Sequence, residues 1–471
     1  MTDLHEIANA GGLPGVSWYL KLLDTIQPEV LVMAPSCVPS CAFEQGFGEL
    51  GTKELAWLKG QKRVIGLGEV MDIDGVLERK KPVMRKIQLF AGKPIDGHAP
   101  LLSGEALRAY LSAGIHSDHE TTSLEEGREK LFSGMHLFLR QGSVAKDLDS
   151  LLPLVEPRFL GQTSLCTDDL SVQDLVEHGH IDAVIRHLVK CGMPLARALR
   201  LATVNPAAYF NLSDRKGLVI GAKADLAVFD PAGVRIRMTL KDGEIVYREG
   251  ETSQPQAIGR IPPSKMKIAD YTLDDLRQKA AGSQINVIGV REGTLLSEHL
   301  VEQARIEDGH VTADVERDIL YAYVFDRYRG QKHFGSCFVR GFGLKAGAMG
   351  TTYAHDSHNL VIVGDNLVDI FAVLNALKKE NGGMALARQG KLVEHIPMPF
   401  YGIISDLDAA AFLQREKRMR RYLKSMGVTL KNPFFQMSFL SLPVMPALRL
   451  TTRGLFDATR MRYIEVSNET R

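Results

Sequence analysis

The 471-residue sequence predicts an α/β fold of the (β/α)-barrel type, followed by a second domain of mixed strands and helices. Three observations carry this. Short apolar runs alternate with amphipathic, charged segments from residue 17 to about 190. A series of these segments ends in a carboxylate or an imidazole, which is how a parallel barrel delivers groups from the C-terminal ends of its strands. Beyond the helical stretch Pro194–Thr203, the pattern changes to strand pairs with Asp-Gly turns.

In chain order, Leu31-Val-Met-Ala34, Val64-Ile-Gly-Leu67 and Met135-His-Leu-Phe-Leu139 read as buried strands. Residues 76–91, 103–113 and 121–133 carry helical spacing and charge, and Thr122-Ser-Leu-Glu125 reads as the capping box that opens the last of them. Ala224–Phe229, with Val234–Leu240 and Glu244–Arg248 turned at Asp242-Gly243, forms a small antiparallel β element. Glu251 to Lys265, holding three prolines and Gly259, reads as a linker. Past it lie a second Asp-Gly turn at Asp308-Gly309, a helix near 364–380 and a charged helix near 406–425. The expected domains are 1–212, a barrel; 213–255, the small β element; and 266–471, an α+β domain.

Lys+Arg number 57 and Asp+Glu 56, so a net charge of +1 removes any global electrostatic case for nucleic acid or an anionic membrane as partner. A small neutral substrate fits better. Five cysteines, Cys37, Cys41, Cys166, Cys191 and Cys337, are an odd number that argues for reduced thiols in a cytosol. Met1 is followed by neither a basic nor an apolar leader, and no run is apolar for long enough to span a bilayer, so a soluble cytoplasmic protein is expected. Homo-oligomerisation is the default expectation.

The candidate chemistry lies in Glu69, His98, His119 and Asp168, with glycine or small residues close by in sequence: Gly68, Gly97, Ser117 and Thr167. Four ionisable groups at successive strand ends are costly to bury unless a cation compensates them, so hydrolysis by water activated on a divalent metal is the leading chemistry. His355-Asp-Ser-His358 is the second polar cluster; it reads either as a loop capping a turn or as a loop that closes over the barrel mouth onto substrate or metal. His178-Gly-His180 has the spacing of a metal pair but falls in a polar loop that opens a helix. Gly341-Phe-Gly343 lacks the Lys-Ser/Thr pair of a phosphate loop. Cys37-Val-Pro-Ser-Cys41 lacks the H-x-E and the cysteine spacing of cytidine-type zinc deaminases.

Asp3-Leu-His-Glu-Ile-Ala-Asn9, Pro35-Ser-Cys-Val-Pro39, Gly66-Leu-Gly-Glu-Val-Met71, Asp96-Gly-His-Ala-Pro100, Ser117-Asp-His-Glu120, Cys166-Thr-Asp-Asp169 and Gly179-His-Ile-Asp182 together resemble the bacterial adenine deaminases of the amidohydrolase superfamily. Gly341-Phe-Gly-Leu-Lys345, Ala354-His-Asp-Ser-His-Asn359 and Ser438-Phe-Leu-Ser-Leu-Pro443 resemble that family's extra C-terminal domain. The resemblance implies a (β/α)8-type amidohydrolase barrel, a remnant β-sandwich element and a C-terminal α+β domain. It implies hydrolytic deamination of adenine to hypoxanthine and ammonia at two divalent ions, manganese or iron, with zinc also permitted by the nitrogen and oxygen ligands. By the family pattern Glu69 would bridge the ions, His98 and His119 would hold one of them, and Asp168 would meet the other and move the proton. Glu120 would be a second proton carrier, and His5, Ser143, His180, His355 and His358 would contact the purine. The family's H-x-H strand would precede residue 1, so the barrel is expected to lack its first unit and the metal centre to be incomplete, with little activity. Two alternatives stand beside this: a non-catalytic relative that binds a purine or a protein, and an amidohydrolase acting on another cyclic amine or amide.

Overall fold

The computed structural model describes residues 1–26, 28–143, 145–215, 217–251, 265–294 and 296–468. It divides into two compact units. Unit one comprises Met1–Leu4, Ser17–Cys37 and Leu50–Arg260; unit two comprises His5–Val16, Val38–Glu49 and Ile261–Arg471. Of the expected linker, Glu251 to Lys265, residues 252–264 lie outside the described residues.

Unit one is built on parallel strands in sequence order. β1 (Thr2–Asp3), β2 (Val32–Ala34), β3 (Val64–Val70) and β4 (Ile95–Gly97) form one sheet; β5 (Ser117–Asp118), β6 (His136–Arg140) and β7 (Thr163–Cys166) form another. Every neighbouring pair is parallel. A backbone bond from His116 N to the Ile95 carbonyl, 3.4 Å, links the residue before β5 to the first residue of β4. Helices Thr52–Lys59, Lys81–Leu89, Gly104–Ser112 and Leu124–Phe132 fill the crossovers, as parallel pairing requires. This is the α/β architecture expected of the first half of the chain.

Two local expectations need correction. The helix over 76–91 is two helices, Ile73–Leu77 and Lys81–Leu89. Arg79 turns left-handed at φ 54° and Pro82 sits in the first turn of the second helix, where a missing N–H costs nothing. The capping box is shifted by one residue: Ser123, not Thr122, accepts from Glu126 N, while the Glu126 carboxylate accepts from Thr122 N.

The antiparallel element is present as β8 (Leu226–Asp230), β9 (Arg235–Lys241) and β10 (Glu244–Arg248), in the order β10-β9-β8. Asp242 and Gly243 both take positive φ, 50° and 89°, the geometry a two-residue hairpin selects. Glu29 anchors this region by pairing with Arg215, with Lys241 at 3.3 Å and with Lys223 at 3.8 Å.

Unit two holds a nine-stranded mixed sheet whose central strand, Ile319–Phe325, is buried along its whole length. Its continuous Ile-Leu-Tyr-Ala-Tyr-Val-Phe run is what a strand covered on both faces needs. Helix Leu367–Lys379 packs against this sheet, and Asn366 caps it by accepting from Asp369 N. The glycine-rich Gly341–Gly343 loop wraps an anion supplied by the protein: Gly341 N and Gly343 N each donate to the Asp318 carboxylate at 2.8 Å. Gly341, at φ 111°, has no room for a side chain, because a Cβ there would lie 2.0 Å from the Val290 carbonyl.

Glu44 is 2% exposed and accepts from Gln45 N, Thr452 N and Thr452 Oγ1 at 2.6–2.8 Å. Burial outweighs those donors and raises its pKa from 4.5 to about 7. The folded state therefore holds a proton that the unfolded state has lost between those values, so this contribution to stability falls as pH rises from 4.5 to 7. Glu44→Gln removes the titration, and thermal unfolding at pH 5 and pH 8 will show the parent losing stability relative to the variant as the pH rises.

Candidate metal centre

Each group at this site comes from a strand end. Glu69 is the penultimate residue of β3, His98 follows β4, His119 follows β5, and Arg140 closes β6. Asp168 lies two residues beyond β7 at φ 52°. The donor atoms of Glu69, His98 and His119 all lie within 4.8 Å of one another. Glu69 Oε2 is 3.1 Å from His98 Nδ1 and 3.7 Å from His119 Nε2. Glu120 joins the group, its Oε1 3.4 Å from His119 Nε2 and 3.8 Å from His98 Nδ1.

Asp168 reaches this cluster through an arginine. Arg140 Nη1 donates to Glu120 Oε1 at 2.5 Å and to Asp168 Oδ2 at 2.9 Å, and Arg140 Nε donates to Asp147 at 3.0 Å. Neither Arg140 nor Asp147 was among the residues expected from sequence. Arg140 nonetheless carries the same signal as the others, a charged residue ending the apolar run Leu137-Phe-Leu139.

The electrostatics favour a cation. Burial alone would lower the His119 pKa, yet Glu69, Glu120, Asp168 and Asp96 push it up to about 10. Burial opposes ionisation of His98 too, but Glu69 and Glu120 raise it. Two imidazoles, which bind metal by giving up that proton, and a carboxylate, within reach of one point and set in an excess of anionic groups, are a donor set that fits a divalent ion.

A buried ammonium holds the two histidine-bearing turns in register. Lys130, 0% exposed, donates to the Ala99 carbonyl at 2.6 Å, to Glu126 Oε1 at 2.6 Å, to Asp118 Oδ2 at 3.0 Å and to Thr121 Oγ1 at 3.1 Å. Asp118 Oδ1 in turn accepts from Ala99 N at 2.8 Å. The residue after His98 and the residue before His119 are thus tied to the same charge.

Of the other expected residues in unit one, Ser143 and His180 have polar partners of their own. Ser143 has both hydroxyl roles occupied, donating to Asp174 Oδ2 at 2.5 Å and accepting from Ser171 N at 2.8 Å. His180 meets Thr167 Oγ1 at 3.3 Å, whereas His178 pairs with Asp174 at 3.9 Å, so the H-x-H imidazoles have separate partners. In unit two, the Glu6 carboxylate pairs with His355 Nδ1 at 3.0 Å and with His358 Nε2, and His5 Nε2 lies 3.4 Å from Glu6. Burial opposes the Glu6 charge, but His358 and His355 hold it well below the usual range. The His355–His358 loop is pinned inside its unit: Ser441 Oγ donates to the His355 carbonyl, and Tyr328 OH to that of Ser357.

Parallel strands that present carboxylates and imidazoles at their C-terminal ends are how a barrel enzyme builds its site, and the amidohydrolase family model matches residues 69–246 of this chain. The adenine deaminase C-terminal domain model matches residues 294–462. An adenine deaminase of Dehalococcoides mccartyi is 37% identical over 467 residues, covering 98% of this chain and 82% of the relative. One of Syntrophobacter fumaroxidans is 38% identical over 463 residues, covering 98% and 80%. The chain belongs to the adenine deaminase family. Among solved structures, it is similar to N-acetyl-D-glucosamine-6-phosphate deacetylase from Mycobacterium smegmatis, with 17% identity and a TM-score of 0.40 over 52% of this chain and 74% of that one.

Replacing Lys130 by Met leaves Asp118 and Glu126 buried beside no cation, a loss of about 3–5 kcal/mol. Denaturant unfolding of K130M is expected to show it, together with reduced metal content in the folded protein.

Proposed function

We propose that the protein hydrolyses adenine to hypoxanthine and ammonia, using Glu69, His98 and His119 to hold a divalent ion and Asp168 with Glu120 to move protons. The observation that carries this reading is the convergence of Glu69, His98 and His119, with Glu120 and Asp168 joined by Arg140. The proposed division of labour along the chain is a hydrolase domain at 1–212, the β element at 213–255 and the C-terminal domain at 266–471.

Bound there, a divalent ion supplies Lewis acidity that brings the pKa of water toward neutrality. Manganese or iron is the proposed metal, and zinc fits the same donors. The protein's own groups manage the protons. Asp168 Oδ2 is held by Arg140, which leaves Oδ1 to take a proton from the water that attacks C6. Glu120 serves ring N1 once its contact with Arg140 has opened and it carries a proton: it donates that proton to N1, so that C6 accepts the new C–O bond without charge building on the ring. Asp168 then returns its proton to the exocyclic nitrogen, the C6–N6 bond breaks, and ammonia leaves as a neutral amine. The proton of the new C6 hydroxyl goes back to Glu120 as the carbonyl forms. Both hydrogens of water are accounted for: one leaves on ammonia and one replaces the proton given to N1. His5, Ser143, His180, His355 and His358 are the proposed purine contacts; for Ser143 this requires its bond to Asp174 to open.

Ammonia release measured with adenine, adenosine and cytosine, and ring opening measured with hydantoin, in the presence of Mn²⁺ test the reading, and turnover confined to adenine is expected. Ring opening of hydantoin in its place, which frees no ammonia and is followed as formation of the carbamoyl amino acid, would assign a cyclic amide substrate. Asp168→Asn should lower kcat about 10²- to 10⁴-fold, the usual worth of a positioned proton carrier, with a smaller effect on KM. Dialysis against a chelator should abolish turnover and Mn²⁺ should restore it, whereas His98→Ala and His119→Ala should reduce the bound metal found by elemental analysis.

A further inference from the structure

Away from the candidate metal centre, unit one gathers a second set of donors on its surface. Asp149 lies in the short helix Leu148–Leu151, His187 in helix Ile181–Lys190, and Cys191 at the C-terminal cap of that helix. His187 and Cys191 are four residues apart, so one helical face carries both. Their donor atoms and a carboxylate oxygen of Asp149 lie within 4.8 Å of one another. His187 Nε2 is 2.5 Å from Asp149 Oδ1 and 3.7 Å from Cys191 Sγ.

The geometry points to a surface site for a thiophilic divalent cation of the zinc class, held by Asp149, His187 and Cys191 with water completing the shell. Both contacts converge on the same imidazole nitrogen. A relay, in which a carboxylate orients one ring nitrogen and the other activates the thiol, is therefore not what is built. Three unlike donors facing one point is the arrangement of a ligand shell. Zinc bonds of about 2.3 Å to sulfur and about 2.0–2.1 Å to nitrogen, at a tetrahedral angle, set the two donors roughly 3.5 Å apart, close to the observed 3.7 Å. The same bond lengths put nitrogen and oxygen about 3.3 Å apart, so Asp149 must withdraw slightly from His187. Its side chain is 65% exposed and free to do so. The helices themselves are anchored, because Leu148, Leu151, Val184 and Leu188 are buried. Thiolate and imidazole together select zinc, cobalt or cadmium over the hard cations magnesium and calcium.

The site is independent of the deamination reading, and its test has its own readout. Cys191 is the exposed one among the five cysteines. In the full-length native protein, a chromogenic disulfide reagent should label it, and Zn²⁺ should slow that labelling about tenfold or more by sequestering the thiolate. Protection should vanish in His187→Ala and weaken in Asp149→Ala. Co²⁺ should give a near-ultraviolet sulfur-to-metal charge-transfer band that Cys191→Ser abolishes, and deamination should be unchanged in all three variants. Absence of Zn²⁺ protection in the parent overturns the proposal, as does undiminished protection in either His187→Ala or Asp149→Ala, which would mean that the thiolate binds alone.

Discussion

The side chain of Lys130 is wholly enclosed, and a buried ammonium is tolerable only when each of its protons is met by an acceptor. That requirement organises the middle of unit one. Its acceptors come from the turn after β4, from the end of β5 and from the helix that follows it, so satisfying one charge fixes three segments. His98 and His119 flank those acceptors in sequence. Their spacing is therefore set by an interaction in which neither imidazole takes part, and it can persist whether or not anything lies between them.

Arg140 plays the complementary part on the other side. It converts three carboxylates, Glu120, Asp147 and Asp168, from mutually repelling groups into one connected array. Without it, Glu120 and Asp168 would repel one another, and neither would keep a defined direction. Two enclosed cations, one a lysine that sets backbone spacing and one an arginine that aims carboxylates, thus frame a cluster whose own balance is anionic.

Much of this was legible in the sequence because strand ends are marked by chemistry as well as by pattern. An apolar run that stops at a glutamate or a histidine states both where the strand ends and what it delivers, and Glu69, His98 and His119 converge accordingly. Lys130 was not legible, since Glu126 and Lys130 at i,i+4 have the form of a solvent-facing helical pair, and only the fold shows that both are enclosed. The split at Arg79 and Pro82 was hidden for a related reason. Helical periodicity continues across the break, because both short helices turn an apolar side to the same interior. The frame of the Ser123 cap was ambiguous because Thr122 and Ser123 are followed at the same spacing by Glu125 and Glu126. Glycine spacing at Gly341–Gly343 resembled an anion loop and is one, but the anion is Asp318 of the same chain.

Asp168 occupies the left-handed backbone region, which most side chains enter only with strain but which asparagine and glycine accept readily. Few replacements are sterically welcome there, and those that are welcome are the ones that erase the carboxylate. Genetic drift at this position is thereby channelled: a descendant can forfeit its chemistry while keeping its shape intact. A lineage that drifted so would inherit an intact purine receptor with no means of consuming what it holds.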